Sequence, residues 1–291
     1  MYRLFAALVV LTGTVSAAPV TDDAATAFSQ QDWARAAQLY EQVVRDQPTT
    51  PNLWRLGRAY LGLERYRDSK RALLRALSLT PNDPQTAFTL ATALDHLHEE
   101  DAAFKYLDIA ATQGLMPQML ETHPALGHLR KDPRFAGVVL RADKAIHVCK
   151  YDERYRAFDF WKGEWDGYTG SQKVLRDVIA AETEGCALRE EWEGTDGGHG
   201  RSETYFNPKT KRWEQLWVDA GGNVVKLSGN VGDGEAKLEG ENIDPTGVVH
   251  AMRQTWEATK DGHVLRKFEQ SEDGGRTWNL VMQLELKRGG A

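Results

Sequence analysis

The amino-acid sequence predicts a multidomain protein, first α and then β: a helical solenoid followed by an antiparallel up-and-down β-barrel of about ten strands. Two observations support this prediction. Apolar residues recur at helical spacing in the first half, and beyond Trp165 they alternate with polar residues between closely spaced turn signals. The chain has 291 residues, 41% hydrophobic and 27% charged, which is sufficient for two globular domains.

The charge pattern limits the classes of partner. The formal net charge is −6, and the sequence contains no block of Lys and Arg residues. Nucleic acids and anionic membranes attract basic surfaces, so neither is an expected partner. We therefore expect a protein partner, a small molecule, or both.

The first residues resemble a bacterial signal peptide. A short positive start ends at Arg3, an apolar run covers Leu4 to Leu11, and the small residues Ser16 and Ala17 follow. We expect removal of residues 1–17 by cleavage after Ala17 or Ala18, and a periplasmic or secreted protein. The apolar run is much shorter than the ~20 residues of a membrane span, so no stable membrane anchor is expected after cleavage.

The compartment determines how the two cysteines are interpreted. In an oxidising compartment Cys149 and Cys186 most simply form a disulfide, which would join the segment before Phe158 to a strand beyond it. Two free thiols are the alternative.

The helical half contains an internal repeat from about Ala24 to Gly114. Its central copy has large and small apolar residues at the spacing of a helix-turn-helix pair: Leu53, Leu56, Gly57, Tyr60, Leu63, Tyr66, Leu73, Ala76, Leu77 and Pro81. These positions resemble the tetratricopeptide repeat, and residues 20–114 accommodate three copies, about the minimum for a stable stack. Residues 115–145 then form a helical cap and linker.

The resemblance to tetratricopeptide-repeat proteins implies a concave groove for a protein partner, lined by the first helix of each repeat. The residues predicted to face this groove are Trp54, Arg58, Leu61, Phe88, Thr92 and Asp95. The alternative is that the remainder of this chain covers them.

The strand half covers residues 146–291. Turn signals such as Gly221-Gly222-Asn223 and Asp233-Gly234 separate short alternating runs. Short hairpin connections favour the barrel, because a two-sheet sandwich, the alternative, needs longer crossovers.

The aromatic segment at the start of this half resembles the first strand of lipocalin-like and nitrobindin-like barrels. The resemblance rests on Phe158-Asp159-Phe160-Trp161, Gly163-Glu164-Trp165, Gly185-Cys186 and Trp213-x-Gln215-x-Trp217-x-Asp219. It implies a fold and no particular activity. We predict that Trp165 seals the barrel floor above Phe158, Phe160 and Trp161, with Lys287 or Arg288 over its ring.

Alternation along the strands places aromatic and polar side chains together on the inward face. The third strand presents Cys186, Leu188, Glu190 and Trp192. The predicted cavity residues are Glu190, Trp192, Trp213, Gln215, Trp217, Asp219, Gln254 and Trp256. Stacking surface with a few polar groups is typical of a small-molecule cavity. A packed core with mutually bonded polar groups, or Asp219 as a turn residue, is the alternative.

Other motifs indicate no metal, cofactor or established catalytic centre. His250 is the one plausible haem ligand that the nitrobindin-like resemblance suggests, and His263 is expected to be exposed. The stretch from Ser271 to Trp278 matches the Asp-box of sialidases, but a single copy is better interpreted as a hairpin turn.

Three hypotheses follow from the sequence. The first is an exported, non-catalytic two-module protein that binds a protein partner through the repeats and a small apolar or amphipathic ligand in the barrel. The second is an isomerase, cyclase or hydratase that uses Glu190 and Asp219 as general acid and base. The third is a structural interaction protein with a filled barrel. The sequence favours a protein that is not an enzyme.

Overall fold

A computed structural model describes residues 17–289 of the chain, and the side chains of residues 20–289. Residues 1–16, most of the predicted signal peptide, lie outside the described residues. The chain divides into two compact units, Met1–Ile146 and His147–Ala291. Helices form the first unit and strands dominate the second.

The first unit contains three helical hairpins. They consist of α1 (Ala17–Ser29) with α2 (Trp33–Asp46), α3 (Thr50–Gly62) with α4 (Tyr66–Leu79), and α5 (Pro84–His96) with α6 (Glu100–Thr112). The turn of each hairpin contains one residue with a positive φ: Gln31, Glu64 or His98. The same connection is therefore used three times, as expected of a repeat.

Small residues bring the helices of a hairpin close together, as the sequence predicts. Ala76 is fully buried, and a Cβ placed on Gly57 would lie 2.5 Å from Cγ of Leu73. Leu53 and Leu90 fill the space between neighbouring helices and are also buried. The core of the unit thus lies between the stacked hairpins, in two clusters of buried residues.

The remainder of the first unit closes the stack at its C-terminal end. It contains α7 (Pro117–Thr122), two 3₁₀ turns (Pro124–Leu126 and Leu129–Lys131) and α8 (Arg134–Ile146). Leu120, Leu126 and Leu129 are buried against the last hairpin. Among the helices within residues 17–289, none combines the length and the apolar character needed to cross a membrane.

The second unit is a closed barrel of ten antiparallel strands. The strands are β1 (Gly163–Thr169), β2 (Gln172–Glu182), β3 (Ala187–Gly194), β4 (His199–Asn207), β5 (Arg212–Asp219), β6 (Val224–Gly232), β7 (Glu235–Ile243), β8 (Val249–Ala258), β9 (Val264–Ser271) and β10 (Asn279–Arg288). Each strand pairs with its neighbours in sequence, and β1 pairs with β10. The predicted up-and-down barrel is confirmed, and the sandwich alternative is wrong.

The barrel is less completely paired where its first and last strands meet. The β1–β10 ladder joins Trp165–Tyr168 to Glu285–Arg288, whereas β10 begins six residues earlier, at Asn279. The register between β10 and β9 shifts at Val281. The start of β10 therefore extends beyond β1, and Leu280 and Val281 are exposed there.

A short helical segment precedes β1. It contains α9 (Val148–Tyr151), α10 (Glu153–Arg156) and a 3₁₀ turn (Asp159–Trp161). A disulfide joins Cys149 of α9 to Cys186, with a Cα–Cα distance of 4.9 Å. The predicted pairing is confirmed. The prediction that Cys186 lies on the third strand is wrong by one residue, because the residue ends the turn before β3.

Candidate functional site

The two ends of the barrel differ because successive hairpin turns of an up-and-down barrel lie at opposite ends. We call the end with the β2–β3 and β8–β9 turns the plug end. The end with the β5–β6 and β9–β10 turns is the open end. The disulfide and the aromatic segment before β1 lie at the plug end.

The aromatic segment fills the plug end. Phe158, Trp161 and Trp165 are fully buried, and Phe160 is half-buried beside them. The indole Nε1 of Trp165 donates a hydrogen bond to the carbonyl oxygen of Trp161 at 2.8 Å. The guanidinium carbon of Arg288 lies 3.9 Å from the centroid of the Trp165 ring. Of the two cations considered from the sequence, Arg288 covers Trp165.

Two predicted cavity residues belong to this plug. The ring of Phe158 lies 5.5 Å from that of Trp213 and 5.3 Å from that of Trp256, edge to face in both pairs. Alternation along a strand identifies the inward face correctly, but it does not give the depth along the barrel axis. The two rings therefore point inward, as predicted, and pack against the plug rather than line a cavity.

A polar layer lies above the plug, deep inside the barrel. We define it by six side chains, all at most 3% exposed: Asp177, Glu190, Ser202, Gln215, Gln254 and Arg266. Nη1 of Arg266 donates to a carboxylate oxygen of Glu190 and lies 3.5 Å from Asp177. Nη2 of Arg266 donates to Oε1 of Gln254 at 2.9 Å. The guanidinium thus joins β9 to three other strands.

Further hydrogen bonds extend this layer on one side, where Oε1 of Gln215 is buried without a partner among the described residues. The Ser202 hydroxyl donates to Oε2 of Glu190 at 2.6 Å. The Gln215 amide donates to Thr204 Oγ1 at 3.0 Å and to Ser202 Oγ at 3.3 Å. Gln215, predicted in the cavity, is therefore part of a buried network and does not line the space above it.

Aromatic rings surround the guanidinium of Arg266. Its central carbon lies 4.7 Å from the Phe268 centroid, 5.0 Å from that of Trp256 and 5.1 Å from that of Trp161. Such contacts favour a desolvated cation. They offset part of the cost of burying the charge, and they connect the polar layer to the plug.

Asp177 has the perturbed carboxyl group of this layer. Burial, followed by the negative charge of Glu190, raises its pKa well above the usual range, although Arg266 acts in the opposite direction. The sequence reading missed both Asp177 and Arg266. A period-two reading of Leu175, Asp177 and Ile179 would have placed the carboxyl inward.

A cavity of about 610 Å³ lies between the polar layer and the open end. Five of the eight predicted cavity residues line it: Glu190, Trp192, Trp217, Asp219 and Gln254. The other lining side chains are mainly apolar and include Leu175, Val225, Met252, Phe268 and Met282, with Arg266 at the floor. The rings of Trp192 and Trp217 stack in parallel, with centroids 5.8 Å apart, and form one wall.

The mouth of the cavity contains one carboxylate, Asp219, among the described lining residues above Glu190. The backbone N–H of Asn223 donates to Asp219 Oδ1 at 2.9 Å, and the Asn223 amide donates to Oδ2 at 2.9 Å. Asp219 thus closes the β5–β6 turn as well as lining the cavity. Val281 and Met282, from the part of β10 that extends beyond β1, line the opposite side.

Two larger depressions, of about 800 and 740 Å³, lie on the outer surface of the barrel. Outward-facing charged side chains line them, including Glu191, Arg201 and Lys226. The interior cavity is better suited to a small molecule, because its walls are apolar and its polar groups are held in place.

The histidines lie away from the cavity lining. His250 is partly exposed, with Nε2 at 3.5 Å from Asp244 Oδ2, so the haem interpretation gains no support. His263 is half-buried rather than exposed as expected, because Nδ1 lies within hydrogen-bonding distance, 2.9 Å, of Glu285. Within residues 17–289, His263, Asp261 and Glu285 form the one group with metal-ligand spacing, at the plug end.

The segment that resembles an Asp-box forms the β9–β10 turn. Oδ1 of Asp273 accepts hydrogen bonds from the backbone N–H groups of Arg276 at 2.9 Å and Thr277 at 2.8 Å. These and the neighbouring hydroxyl bonds lower the pKa of Asp273 to about 2. The hydrogen bonds are those of a structural turn, as the sequence reading proposed.

In the helical unit, the first helices of the hairpins share one face. Nε1 of Trp54 on α3 donates to Thr89 Oγ1 on α5 at 2.9 Å, and the Trp54 ring lies 5.7 Å from Phe28 of α1. Arg58 is half-buried, with its guanidinium carbon 5.0 Å from the Trp33 ring centroid. Burial lowers the pKa of Arg58.

The sequence matches one family. Residues 27–94 match the family model for the tetratricopeptide repeat. The hairpins within this range are tetratricopeptide repeats. Two solved structures resemble the chain, the TPR2B-domain:pHsp70 complex and the TPR2AB-domain:pHSP90 complex of yeast Sti1. Each is 19% identical, with a TM-score of 0.33 and 44% of this chain covered. The match spans 96% of the first structure and 46% of the second. No curated protein matches the chain.

The tetratricopeptide repeats present fewer of the predicted groove residues than the sequence suggests. Phe88, Thr92 and Asp95 are buried. The ring of His123 contacts that of Phe88 at 4.9 Å, and Nδ1 of His128 lies 2.8 Å from Asp95 Oδ1. The cap covers this part of the face, which is the alternative that the sequence left open. Trp54, Arg58 and Leu61 remain partly accessible.

Proposed function

We propose that the protein is an exported, non-catalytic two-module protein whose barrel binds a small apolar or amphipathic molecule and whose tetratricopeptide repeats bind a protein partner. One observation carries the ligand proposal: a barrel plugged at one end encloses a cavity of about 610 Å³ with apolar walls and a polar floor at the other. Such a combination of shape and lining is typical of small-molecule sites.

The non-catalytic role rests on the state of the two carboxylates. Glu190 is engaged by Arg266 and Ser202, and Asp219 is engaged by Asn223. A general acid or base must exchange its proton with a substrate. Here both carboxylates form their hydrogen bonds with other residues of the barrel, which favours binding over catalysis.

The protein partner is assigned to the accessible part of the repeat face, around Trp54, Arg58 and Leu61. Tetratricopeptide repeats form extended surfaces for protein recognition. Among the described residues no carboxylate forms a salt bridge with Arg58. Burial, followed by the positive charges of Arg58 and Arg130, lowers the pKa of His123. An acidic partner segment would offset this excess of positive charge.

Export is supported by the disulfide between Cys149 and Cys186, because disulfides persist mainly in oxidising compartments. It also agrees with the apolar run before Ala17. N-terminal sequencing of the protein from its host should find a chain that begins at Ala18 or Pro19. A chain that still begins at Met1 would contradict export by this route.

The ligand proposal is tested by filling the cavity. Met252→Trp places a large ring in the space, whereas Val218→Trp adds the same ring on the exposed outer face of β5. Wild-type protein and the outer variant should increase the fluorescence of an apolar naphthalene dye, and the inner variant should not. Equal dye binding by both variants would place the dye on the surface and contradict the proposal.

A further inference from the structure

The floor of the cavity has hydrogen-bond donors that the chain itself does not use. Gln254 is 1% exposed, and Nη2 of Arg266 fixes its amide by donating to Oε1. Its NH₂ group therefore points away from Arg266, and no described residue accepts a hydrogen bond from it. Nε of Arg266, itself 3% exposed, is buried and also lacks a hydrogen-bond partner.

A buried donor without an acceptor, such as Nε of Arg266, is costly, and the side chains of Gln254 and Arg266 both line the cavity. A ligand that places an acceptor atom at this floor would satisfy groups that are already held in position. The floor therefore selects for an acceptor such as a carbonyl oxygen.

The charge of the floor indicates whether that acceptor is ionised. The groups that face Arg266 are Glu190 from β3, Asp177 from β2 and Gln254 from β8, with the rings of Trp161, Trp256 and Phe268 around it. The raised pKa of Asp177 favours its protonated, neutral form. Arg266 and Glu190 then balance each other, and the floor has no net charge.

We propose that the ligand is an uncharged molecule with a carbonyl-type acceptor at one end of an apolar body. The acceptor lies at Gln254 and Arg266, and the body lies against the stacked rings of Trp192 and Trp217. An ionised head group would place an unbalanced charge beside a balanced ion pair, and burial of such a charge is strongly unfavourable. This inference rests on the proposed function, because it names the class of molecule that the cavity binds.

Four naphthalene probes of similar size separate the possibilities. 2-Acetylnaphthalene has a neutral carbonyl, 2-ethylnaphthalene has none, 2-naphthoate is an anion and 2-(aminomethyl)naphthalene is a cation at neutral pH. Their affinities are measured by quenching of tryptophan fluorescence in the full-length, disulfide-bonded protein. We expect the ketone to bind about tenfold more tightly than the ethyl compound, as one satisfied hydrogen bond predicts, and both ions to bind more weakly than either.

A variant locates the acceptor. Gln254→Glu keeps an oxygen for Arg266 and nearly the same volume, but it replaces the NH₂ donor with an acceptor oxygen and adds a negative charge. The ketone should lose about tenfold in affinity and the ethyl compound should change little. If this variant does not fold, as near-ultraviolet circular dichroism would show, the probe series on the wild-type protein decides the question alone.

The outcomes distinguish this inference from the proposal on which it rests. If 2-naphthoate or the ammonium probe binds as tightly as the ketone, or the ethyl compound equals it, the ligand class is wrong while the cavity remains a binding site. If none of the four probes binds and Met252→Trp also leaves dye binding unchanged, the proposed ligand-binding function fails, and this inference fails with it.

Discussion

Arg266 and Glu190 form an ion pair inside the barrel, with both side chains shielded from solvent. The pair lies between an aromatic plug and an apolar cavity, so protein groups alone must neutralise its two charges. Its position determines the polarity of the cavity floor and connects β3 with β9.

Removal of the cation should destabilise the barrel strongly. Arg266→Met leaves Glu190 buried without its counterion, and we expect a loss of about 3–5 kcal/mol in the free energy of unfolding. The measurement is urea denaturation followed by tryptophan fluorescence. Adding Glu190→Gln to Arg266→Met should recover a large part of the loss. If Arg266→Met is as stable as the wild type, the pair does not have the proposed structural role.

The raised pKa of Asp177 predicts a pH dependence of stability. The folded protein retains this proton at pH values where the unfolded chain has lost it, so the contribution of Asp177 to stability falls as the pH rises from about 4 towards the folded pKa. Asp177→Asn removes this titration. The barrel melting temperature of the wild type should therefore fall relative to that of Asp177→Asn as the pH rises above about 4.

The control for this pH effect is Glu193→Gln, which removes an exposed carboxyl from β3. It should follow the wild-type pH profile. A constant difference in melting temperature between Asp177→Asn and the wild type over the whole range would show that the proton is not retained.

The plug should contribute stability rather than ligand contacts. Trp165→Ala removes a fully buried indole, and we expect a cost of about 3–5 kcal/mol in unfolding free energy. Trp278→Ala, at a half-buried position in the β9–β10 turn, should cost much less. Both are compared by thermal unfolding monitored by circular dichroism. An unchanged barrel transition in Trp165→Ala would refute the plug.

The disulfide should stabilise the start of the barrel. Cys149 and Cys186 are separated by 37 residues, and closing a loop of that size contributes roughly 3–4 kcal/mol in the chain-entropy model. The double variant with serine at both positions should lose about this amount in urea denaturation. Wild-type protein treated with reductant should behave like the variant. Equal stability of the oxidised and reduced protein would contradict the stabilising role of the disulfide.

Close helix packing in the tetratricopeptide repeats predicts that two Gly→Ala changes have opposite effects on stability. Gly57→Ala would place its Cβ 2.5 Å from Leu73 Cγ, so we expect a loss of about 1–3 kcal/mol from overpacking. Gly137→Ala on α8 meets only the flexible end of Arg141 at 3.2 Å and should stabilise by up to about 1 kcal/mol. Helical circular dichroism during thermal unfolding compares them. A neutral Gly57→Ala would contradict the close approach.

The sequence predicted the architecture because local periodicity determines it. The repeat around Gly57 and Leu73 indicated stacked hairpins, and alternation with short turns indicated an up-and-down barrel. The inward orientation of Glu190, Trp192 and Trp217 also followed, since side chains alternate between the faces of a strand. The disulfide followed from the expected compartment, because only two cysteines are present.

Only the tertiary structure determined how deep each side chain lies along the barrel axis and which side chains contact one another. Alternation does not distinguish Trp213, which packs in the plug, from Trp217, which lines the cavity, because both have the same orientation on β5. Arg266 meets Glu190 and Asp177 from a strand that is far from both in sequence, so no local pattern could pair it with them. Orientation is a property of one strand, whereas a cavity and its charge balance depend on the closure of all ten.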